Sequence, residues 1–383
     1  MKKTTLIIFF LCFFGANAVA QGSSDKKIVH KVDYRGQLSG WAQLSPDVAQ
    51  PLWLGGRYIP QLSYEAAFRN DRKFDFEASV NIFGDIGIKP FSDADVSGRM
   101  KPYRAWMRYS TKQAEVRLGL QKINFGSAQM LRPLMWFDTM DARDPLQLTD
   151  GVWGGLFRYY FKNNANIWLW SLYGNDTVKG WETAASYRFP EFGGRVQLPV
   201  KRGEVALSGH FRKADYAGAG LIGDYRNVPE GKIGFDIRLD RVIGMWLEGS
   251  WTHSGKNLGQ LTNQAMFTLG GDYTIGIGNG IGVTFEQMLY SYDEKAFRFG
   301  NATTFSGLML SYPAGLFDDL SAMIYYDWTN RKIYNFLNWR HNFKHLDLHA
   351  ILYWNPDNSV IPGQVGINRF QGKGVQIMLV WNH

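Results

Sequence analysis

The feature that most constrains this chain is a strict alternation of apolar and polar side chains along many short segments. In the clearest segment, one face would carry Tyr58, Leu62, Tyr64, Ala66 and Phe68, and the other Gln61, Ser63, Glu65 and Arg69. Successive side chains of a β-strand point to opposite faces, so each segment predicts a strand with one apolar and one hydrated face. After the turn residues Asn70-Asp71-Arg72 the alternation resumes from residue 74 to 82, which predicts a β-hairpin.

The same alternation recurs to the end of the chain, near residues 103–109, 114–121, 181–189, 233–240, 346–355 and 375–382. A soluble β-sandwich also alternates, but a sandwich of this many strands has shorter runs and fewer outward aromatic residues at strand ends. The composition of 15% aromatic residues and 42 glycines agrees with many short strands and tight turns. Beyond residue 20 no run of 18 or more apolar residues occurs, which excludes membrane-spanning helices. The sequence therefore predicts an all-β, antiparallel, up-and-down transmembrane barrel.

The spacing of the segments gives a strand count, because membrane barrels alternate short turns at one end with longer loops at the other. Long connections are expected near residues 45–55, 84–98, 124–150, 174–180, 213–230, 255–263, 292–302 and 356–371. Short turns are expected near residues 70–72, 111–112, 162–165, 200–203, 241–244, 276–279, 313–318 and 343–345. With residues 181–199 taken as one strand bulged at Gly193-Gly194, and residues 330–331 as a short outer connection, the count is 18. Sixteen strands is the alternative if two weaker segments are not strands.

The two ends of the chain indicate where the protein functions. Lys2 and Lys3 precede a short apolar run and the small residues Ala18-Val19-Ala20, which predicts a signal peptide over residues 1–20 and a barrel over residues 21–383. The only cysteine, Cys12, lies in that run, so disulfides and cysteine metal sites are excluded after cleavage. Removing two lysines lowers the net charge from +8 to +6.

The last strand alternates Val375, Ile377, Leu379 and Trp381 with Gln376, Met378 and Asn382. This pattern is typical of the C-terminal signal read by the outer-membrane barrel assembly machinery, although Asn382 and His383 follow the aromatic residue. We therefore expect the bacterial outer membrane as location, and its lipid and that machinery as partners.

The longest connection, residues 124–150, is the first candidate for function, because loops beyond about 15 residues are usually functional or disordered. Its apolar residues argue against disorder: Met130, Leu131, Leu134, Met135, Trp136, Phe137 and Met140. Two placements remain open, a loop folded into the lumen or a lid on the surface. Inside the lumen it would offer charged groups to the channel: Arg132, Asp138, Asp141, Arg143 and Asp144.

The strands beside this connection are rich in arginine. A two-residue turn at Thr111-Lys112 would pair residue 108 with 115, 106 with 117 and 104 with 119. Gly119 would then lie across from Arg104, and Arg108 could form an ion pair with Glu115.

Residues 116–147 resemble a segment of porin-like barrels related to alginate-export and other outer-membrane proteins. The shared positions are Gly119, Gln121, Ile123, an aromatic residue at Phe125, Gly126, Leu131-Arg132, Asp138 and Asp144-Pro145. Members commonly have Trp at the position of Phe125. The resemblance covers about a tenth of the chain and implies a solute-conducting barrel, without naming the solute.

Other candidate sites are weaker. His341, His345 and His349 are four residues apart but would lie on a strand, a turn and the next strand, so a metal site is not expected. Ser208 and His210 share the lumen face of one strand, but no third residue that would orient the histidine can be named, so a hydrated histidine is expected. No nucleic-acid motif is present. We expect no enzyme activity, no metal and no cofactor.

The function expected from these observations is passive diffusion of small polar, anionic solutes through the pore. The pore-lining and constriction residues would be Arg104, Arg108, Arg117, Arg132, Asp138, Arg143, Asp144 and Arg158. The alternatives are a non-conducting surface barrel for adhesion or scaffolding, and a barrel enzyme that acts on lipid. Whether the chain forms an oligomer stays open.

Overall fold

Nineteen β-strands make up the wall of the molecule in a computed structural model that describes residues 28–47, 50–89, 94–181, 183–221, 223, 225–356 and 370–383. The strands are β1 (Val29–Leu44), β2 (Leu52–Ala67), β3 (Lys73–Ile88), β4 (Asp95–Ser110), β5 (Ala114–Gln121), β6 (Val152–Tyr160), β7 (Asn166–Leu172), β8 (Ala184–Ala185), β9 (Glu191–Val200), β10 (Gly203–Asp215), β11 (Val228–Asp240), β12 (Gly244–Ser254), β13 (Asn263–Ile275), β14 (Ile281–Asp293), β15 (Thr303–Pro313), β16 (Asp318–Asp327), β17 (Lys332–Asn342), β18 (Leu346–Trp354) and β19 (Lys373–Asn382). The expected signal peptide, residues 1–20, lies outside the described residues.

The strands form one closed antiparallel ring. Apart from β8, each pairs with its neighbours along the chain, and β1 pairs with β19 from Gln37 opposite Asn382 to Leu44 opposite Val375. β8 and β9 both pair with β10, so together they occupy one position in the wall, and the barrel has 18 strands. The prediction of 18 strands is confirmed and the alternative of 16 is wrong. Closure matters because an open sheet would leave unpaired backbone groups at its edges.

The one interruption of the wall differs from the expected bulge. Gly193 and Gly194 pair without a break with both neighbouring strands, β7 and β10. The break lies at residues 186–190 instead, where Phe189 N–H donates to Ser186 O at 3.1 Å in a turn. Pro190 follows directly and has no N–H to donate to a neighbouring strand, which explains why pairing stops there.

The two faces of the wall have the predicted characters. In β1, the outward Leu38 is 46% exposed, whereas the inward Gln43 is 4% exposed. In β19, Ile377, Leu379 and Trp381 point outward and Gln376 and Met378 point inward, as the alternation predicted. The structure contains no helix long and apolar enough to cross a membrane in the part of the chain that it describes.

The connections sort by length between the two ends of the barrel. At the end called the short-turn end here they span residues 68–72, 111–113, 161–165, 201–202, 241–243, 276–280, 314–317 and 343–345. At the other end, called the loop end, the longest spans residues 122–151. The connection expected near residues 84–98 is shorter than predicted, because β3 continues to Ile88 and β4 begins at Asp95.

The register between β4 and β5 corrects the predicted pairing by two residues. Thr111 N–H donates to Ala114 O at 2.8 Å, so the two-residue turn is Lys112-Gln113 and not Thr111-Lys112. In consequence Trp106, not Arg104, lies opposite Gly119. Gly119 has φ +117°, and a Cβ there would lie 2.1 Å from the carbonyl oxygen of Ala105, so glycine is required by the backbone.

Candidate functional site

The long loop, residues 124–150, crosses the inside of the barrel. It leaves the wall between β5 and β6, yet it hydrogen-bonds to residues of β12, β13 and β14, which lie on the opposite side of the ring. The residues it contacts are on the inward face, since their strand neighbours Leu269 and Phe285 point outward and are 61% and 48% exposed. A chain that joins opposite sides of a closed ring by inward residues has to pass through the lumen.

Two wall carboxylates hold the middle of this loop. Glu248 of β12 accepts the N–H groups of Ser127 and Ala128 on Oε2 and that of Leu134 on Oε1, at 2.7–2.9 Å. We call Glu248 and Glu286 the anchor carboxylates.

The second anchor carboxylate, Glu286 of β14, accepts the N–H group of Gln129 on Oε1 and those of Met130 and Leu131 on Oε2, at 2.6–3.0 Å. Its Oε1 also accepts the indole N–H of Trp246 at 3.1 Å. Between them the two carboxylates bind six backbone N–H groups of residues 127–134, which have no strand partner.

Apolar packing fixes the first half of the loop against the wall near β6, β7 and β10. Phe125, Trp136 and Phe137 are each at most 7% exposed and pack on Trp170 and neighbouring residues. The ring centroids of Phe125 and Trp136 are 5.6 Å apart, and those of Phe137 and Trp170 are 5.5 Å apart, both edge-to-face. This cluster fills the lumen on that side.

The other side of the lumen is covered by different residues of the same loop. Leu131 is fully buried against a group of wall residues from β13 to β18: Met266, Met288, Phe305, Tyr325, Tyr334, Phe336, Ile351 and Tyr353. Further along, Leu146 packs on Trp41, Met378 and Val380 of β1 and β19. The loop therefore contacts most of the circumference and narrows the lumen at the level of the anchor carboxylates.

The first pair of charged residues in the loop neutralises itself. Arg132 donates to both carboxylate oxygens of Asp138, at 2.7 and 3.1 Å, and their side chains are 8% and 1% exposed. Burial lowers the pKa of Arg132, but the attraction and hydrogen bonds of Asp138 outweigh it and leave this pKa above its usual value. Both residues were expected on the solute path. In the structure they join two parts of the loop, and the indole N–H of Trp181 donates to Arg132 O at 2.9 Å.

The other predicted loop residues are also engaged within the protein. Arg143 pairs with Asp141 at 2.5 Å and lies over the rings of Phe336 and Phe370, with its side chain 4% exposed. Asp144 accepts the N–H groups of Leu146 and Leu148 at 3.0 and 3.3 Å. Burial raises the pKa of Asp144, and these backbone hydrogen bonds oppose the rise.

The arginines of β4, β5 and β6 do lie together on the inward face, and we call Arg104, Arg108, Arg117 and Arg158 the basic strip. Arg108, Arg117 and Arg158 share Glu115, at 3.6, 3.8 and 3.3 Å, and Arg108 also pairs with Asp75 at 2.8 Å. The side chains of these three arginines are 29%, 15% and 17% exposed. The expected contact between Arg108 and Glu115 is therefore present, although the register that predicted it was wrong.

Aromatic rings support the same arginines. Arg158 lies 3.7 Å from the ring centroid of Trp168, and Arg117 lies 4.7 Å from that of Trp106. A guanidinium stacked on an indole is held in place while its edge stays free to donate hydrogen bonds.

Arg104 has a different role from its three neighbours. It is 8% exposed and donates to the carbonyl oxygens of Tyr103 and Thr149, at 2.5 and 3.0 Å. Since Thr149 belongs to the long loop, Arg104 ties the end of the loop to the wall. Nearby, Lys101 pairs with Asp150 at 2.6 Å.

His210, the candidate partner of Ser208, contacts other residues instead. His210 is 5% exposed, accepts the Trp170 indole N–H on Nδ1 at 3.1 Å and donates from Nε2 to Glu191 at 3.1 Å. It is therefore buried beneath Trp136 and Phe137, whereas the sequence predicted a hydrated histidine. In the described parts of the chain no three His, Cys, Asp or Glu side chains are grouped to hold a metal ion.

Sequence reasoning missed the anchor carboxylates, although a signal for them exists. The cross-strand neighbours of Glu286 are Gly270 and Gly307, and those of Glu248 are Asp236 and Thr268. A lumen carboxylate with no cation beside it on the wall needs donors from elsewhere, and here the long loop supplies them.

Comparisons with known proteins agree with this architecture. No protein-family profile and no curated protein sequence matches the chain. Among solved structures, a BenF-like porin from Pseudomonas fluorescens Pf-5 matches with a TM-score of 0.59 and 11% identity, over 92% of this chain and 98% of that chain. OccAB1 of Acinetobacter baumannii matches with a TM-score of 0.55 and 8% identity, over 92% and 96%. OmpT, an outer membrane protein of Vibrio cholerae solved in a trimer form, matches with a TM-score of 0.52 and 11% identity, over 92% and 99%. The fold is that of a porin-like β-barrel, as the sequence predicted.

Proposed function

We propose that this chain is a channel of the bacterial outer membrane that passes small polar solutes by diffusion and prefers anions. In this proposal residues 1–20 are removed on export, and the barrel assembly machinery inserts the rest into the lipid. Two observations together carry the proposal. The long loop narrows the lumen, and partly exposed arginines such as Arg117 and Arg158 line the wall beside it.

The balance of charge around the narrow region supports the preference for anions. The cations there are Lys101, Arg104, Arg108, Arg117, Lys122, Arg158 and Lys179. The carboxylates on the same side are Asp75, Glu77, Glu115 and Asp150. Arg132 and Asp138 are left out of both sets because they neutralise each other. Burial lowers the pKa of Lys179 and that of Lys122, and the nearby carboxylates Asp150 and Asp138 partly oppose the fall. The excess of positive charge raises the local concentration of anions.

The two alternative functions gain less support. A lipid-active enzyme needs a nucleophile beside its base, but Ser208 Oγ contacts Arg195 at 3.2 Å and His210 faces Glu191. An adhesion or scaffold barrel has no need for arginines directed into the lumen. No specific observation favours either function over a channel.

Conductance in planar lipid bilayers tests the proposal directly. Purified, refolded protein should produce discrete current steps, because solute and ions pass beside the loop. A folded protein that gives no steps above background would exclude the channel function and favour a non-conducting surface barrel.

Replacing Arg117 and Arg158 together by Gln should strongly weaken the preference for anions. The change leaves Glu115 with Arg108 alone and lowers the excess of positive charge around the narrow region from three to one, with none left beside Glu115. Reversal potentials across a salt gradient measure this preference, which should weaken as salt screens charges over about 10 Å at 0.1 M.

A matched control removes one positive charge from the lumen away from the basic strip. Arg238 of β11 is 29% exposed and pairs with Asp240 and Asp272. Because Arg238→Gln removes one positive charge and the double substitution removes two, Arg238→Gln should change the reversal potential by much less than half as much. A clear preference of the wild-type channel for cations would refute the assignment of the basic strip.

A further inference from the structure

We propose that Glu248 and Glu286 are the positioning residues of the constriction: their carboxylates hold the long loop across the lumen and so set the width of the solute path. This inference rests on the proposed channel function for its consequence, the pore width. The holding contacts themselves can be tested separately.

The loop needs these carboxylates because, within the described residues, they are the acceptors of six of its backbone N–H groups. Residues 127–134 form no strand, and Ala128, Leu131 and Leu134 are each at most 6% exposed. A buried N–H group without an acceptor destabilises the arrangement that buries it. Six such groups are satisfied only by the two anchor carboxylates among the contacts described above.

While the docked loop excludes water, the carboxylates need its N–H groups for the same reason. Both side chains belong to residues that are 0% exposed, and their neighbours across the strands bring no positive charge. A buried carboxylate is stable only when donors surround it. With the loop undocked, Glu248 and Glu286 would face a wide, hydrated lumen. The loop and the carboxylates therefore form one unit that is either docked or released.

The arrangement also fixes the position of the loop, not only its presence. Glu286 on β14 binds residues 129–131, and Glu248 on β12 binds residues 127–128 before them and Leu134 after them. The loop segment is thus held at points on two strands with β13 between them, where Thr268 donates to Leu131 O at 2.7 Å. Attachment at separate points prevents the loop from sliding along the wall.

Replacement of either carboxylate by the isosteric amide tests this role without creating a cavity. Glutamine keeps one oxygen, but its NH2 group must face N–H donors that the second carboxylate oxygen had accepted. In Glu286→Gln either Gln129 and Trp246 or Met130 and Leu131 lose their acceptor. In Glu248→Gln either Leu134 or Ser127 and Ala128 lose theirs.

A matched control separates release of the loop from the loss of one negative charge. Glu204 of β10 also points into the lumen and hydrogen-bonds to Gln197 of the wall, not to the loop. Glu204→Gln makes the same chemical change and the same change of charge. Heat-modifiable migration on gels checks that every variant retains a folded barrel.

Two readouts are measured on wild type, Glu248→Gln, Glu286→Gln and Glu204→Gln. Hydrogen exchange of the amides of residues 127–134 should be slow in wild type and Glu204→Gln and about tenfold or more faster in the other two variants, given the strength of hydrogen bonds to charged acceptors. Single-channel conductance should rise in the same two variants only.

The outcomes separate the two proposals. Fast exchange in the anchor variants with no conductance in any variant would support the holding contacts and reject the channel. A second outcome is a wild type that conducts, with amide protection and conductance unchanged in both anchor variants. That outcome would overturn the inference but would still support the channel function. Faster exchange and higher conductance in Glu204→Gln as well would assign the effect to charge and overturn the inference too.

Discussion

Deletion of Ser127–Arg143, with the ends joined by a short Gly-Ser linker, is expected to raise the single-channel conductance severalfold while the barrel stays folded. The deletion removes the segment that packs on both sides of the lumen, including Leu131, Leu134 and Trp136. The wall itself should persist, because its hydrogen bonds run between neighbouring strands and do not pass through the loop. Conductance steps in planar bilayers and heat-modifiable migration on gels measure the two effects.

The matched control shortens an outer connection that lies outside the lumen. Residues 294–301 are exposed, so their removal should leave the conductance close to that of wild type. If a folded variant without residues 127–143 had unchanged conductance, the long loop would not limit the pore. The assignment of its residues to the constriction would then have to be abandoned.

The class of fold could be predicted because it depends on local pattern. Inward and outward positions alternate every residue in a strand, so the face of Leu38 or Gln376 follows from its neighbours in sequence. Connection lengths gave the strand count in the same way. Proline and turn geometry disturbed the prediction at Pro190 and at Lys112-Gln113, where a shift of one residue in the turn moves the pairing by two.

The candidate site could be predicted only in part, because its decisive contacts are distant in sequence. The apolar residues of the long loop indicate that it is not a free chain, but nothing local shows that Ser127 meets Glu248, 121 residues later. The same limit applies to the charged residues of the loop. Sequence shows that Arg132 and Asp138 are present, whereas only the fold shows that they neutralise each other away from solvent.

A loop that carries charges is therefore not the same as a loop that offers charges to a solute. In the long loop the carboxylates of Asp138 and Asp144 accept protein hydrogen bonds, and Arg132 and Arg143 are paired. In the loop, Asp141 is partly exposed but is paired with Arg143, whereas the partly exposed cations lie on the wall, on Arg108, Arg117 and Arg158. We therefore propose that the loop sets the shape of the pore and that the basic strip sets its selectivity.

Asp138→Ala is expected to destabilise the docked loop by about 3–5 kcal/mol, because it leaves the buried Arg132 guanidinium without its partner. The double variant Arg132→Met, Asp138→Leu should lose much less, since apolar residues of similar size often replace a buried ion pair without cost. Hydrogen exchange of the loop amides reports the docked state in each variant. If the loss exceeds the free energy that holds the loop in place, the loop undocks, and the pore of Asp138→Ala should then show a larger conductance. The double variant should keep the loop docked and conduct like wild type.

Asp33→Ala provides the control for this comparison, since Asp33 pairs with Arg35 at 2.5 Å while their side chains are 33% and 68% exposed. Exposed ion pairs contribute about 0–1 kcal/mol, so this change should leave loop exchange and conductance as they are. The double variant distinguishes two roles of the buried pair. The double variant could release the loop as fully as Asp138→Ala does. In that case the hydrogen bonds of the pair hold the loop, and the unpaired buried charge is not the cause of its release. The expected rescue by apolar residues would then be wrong.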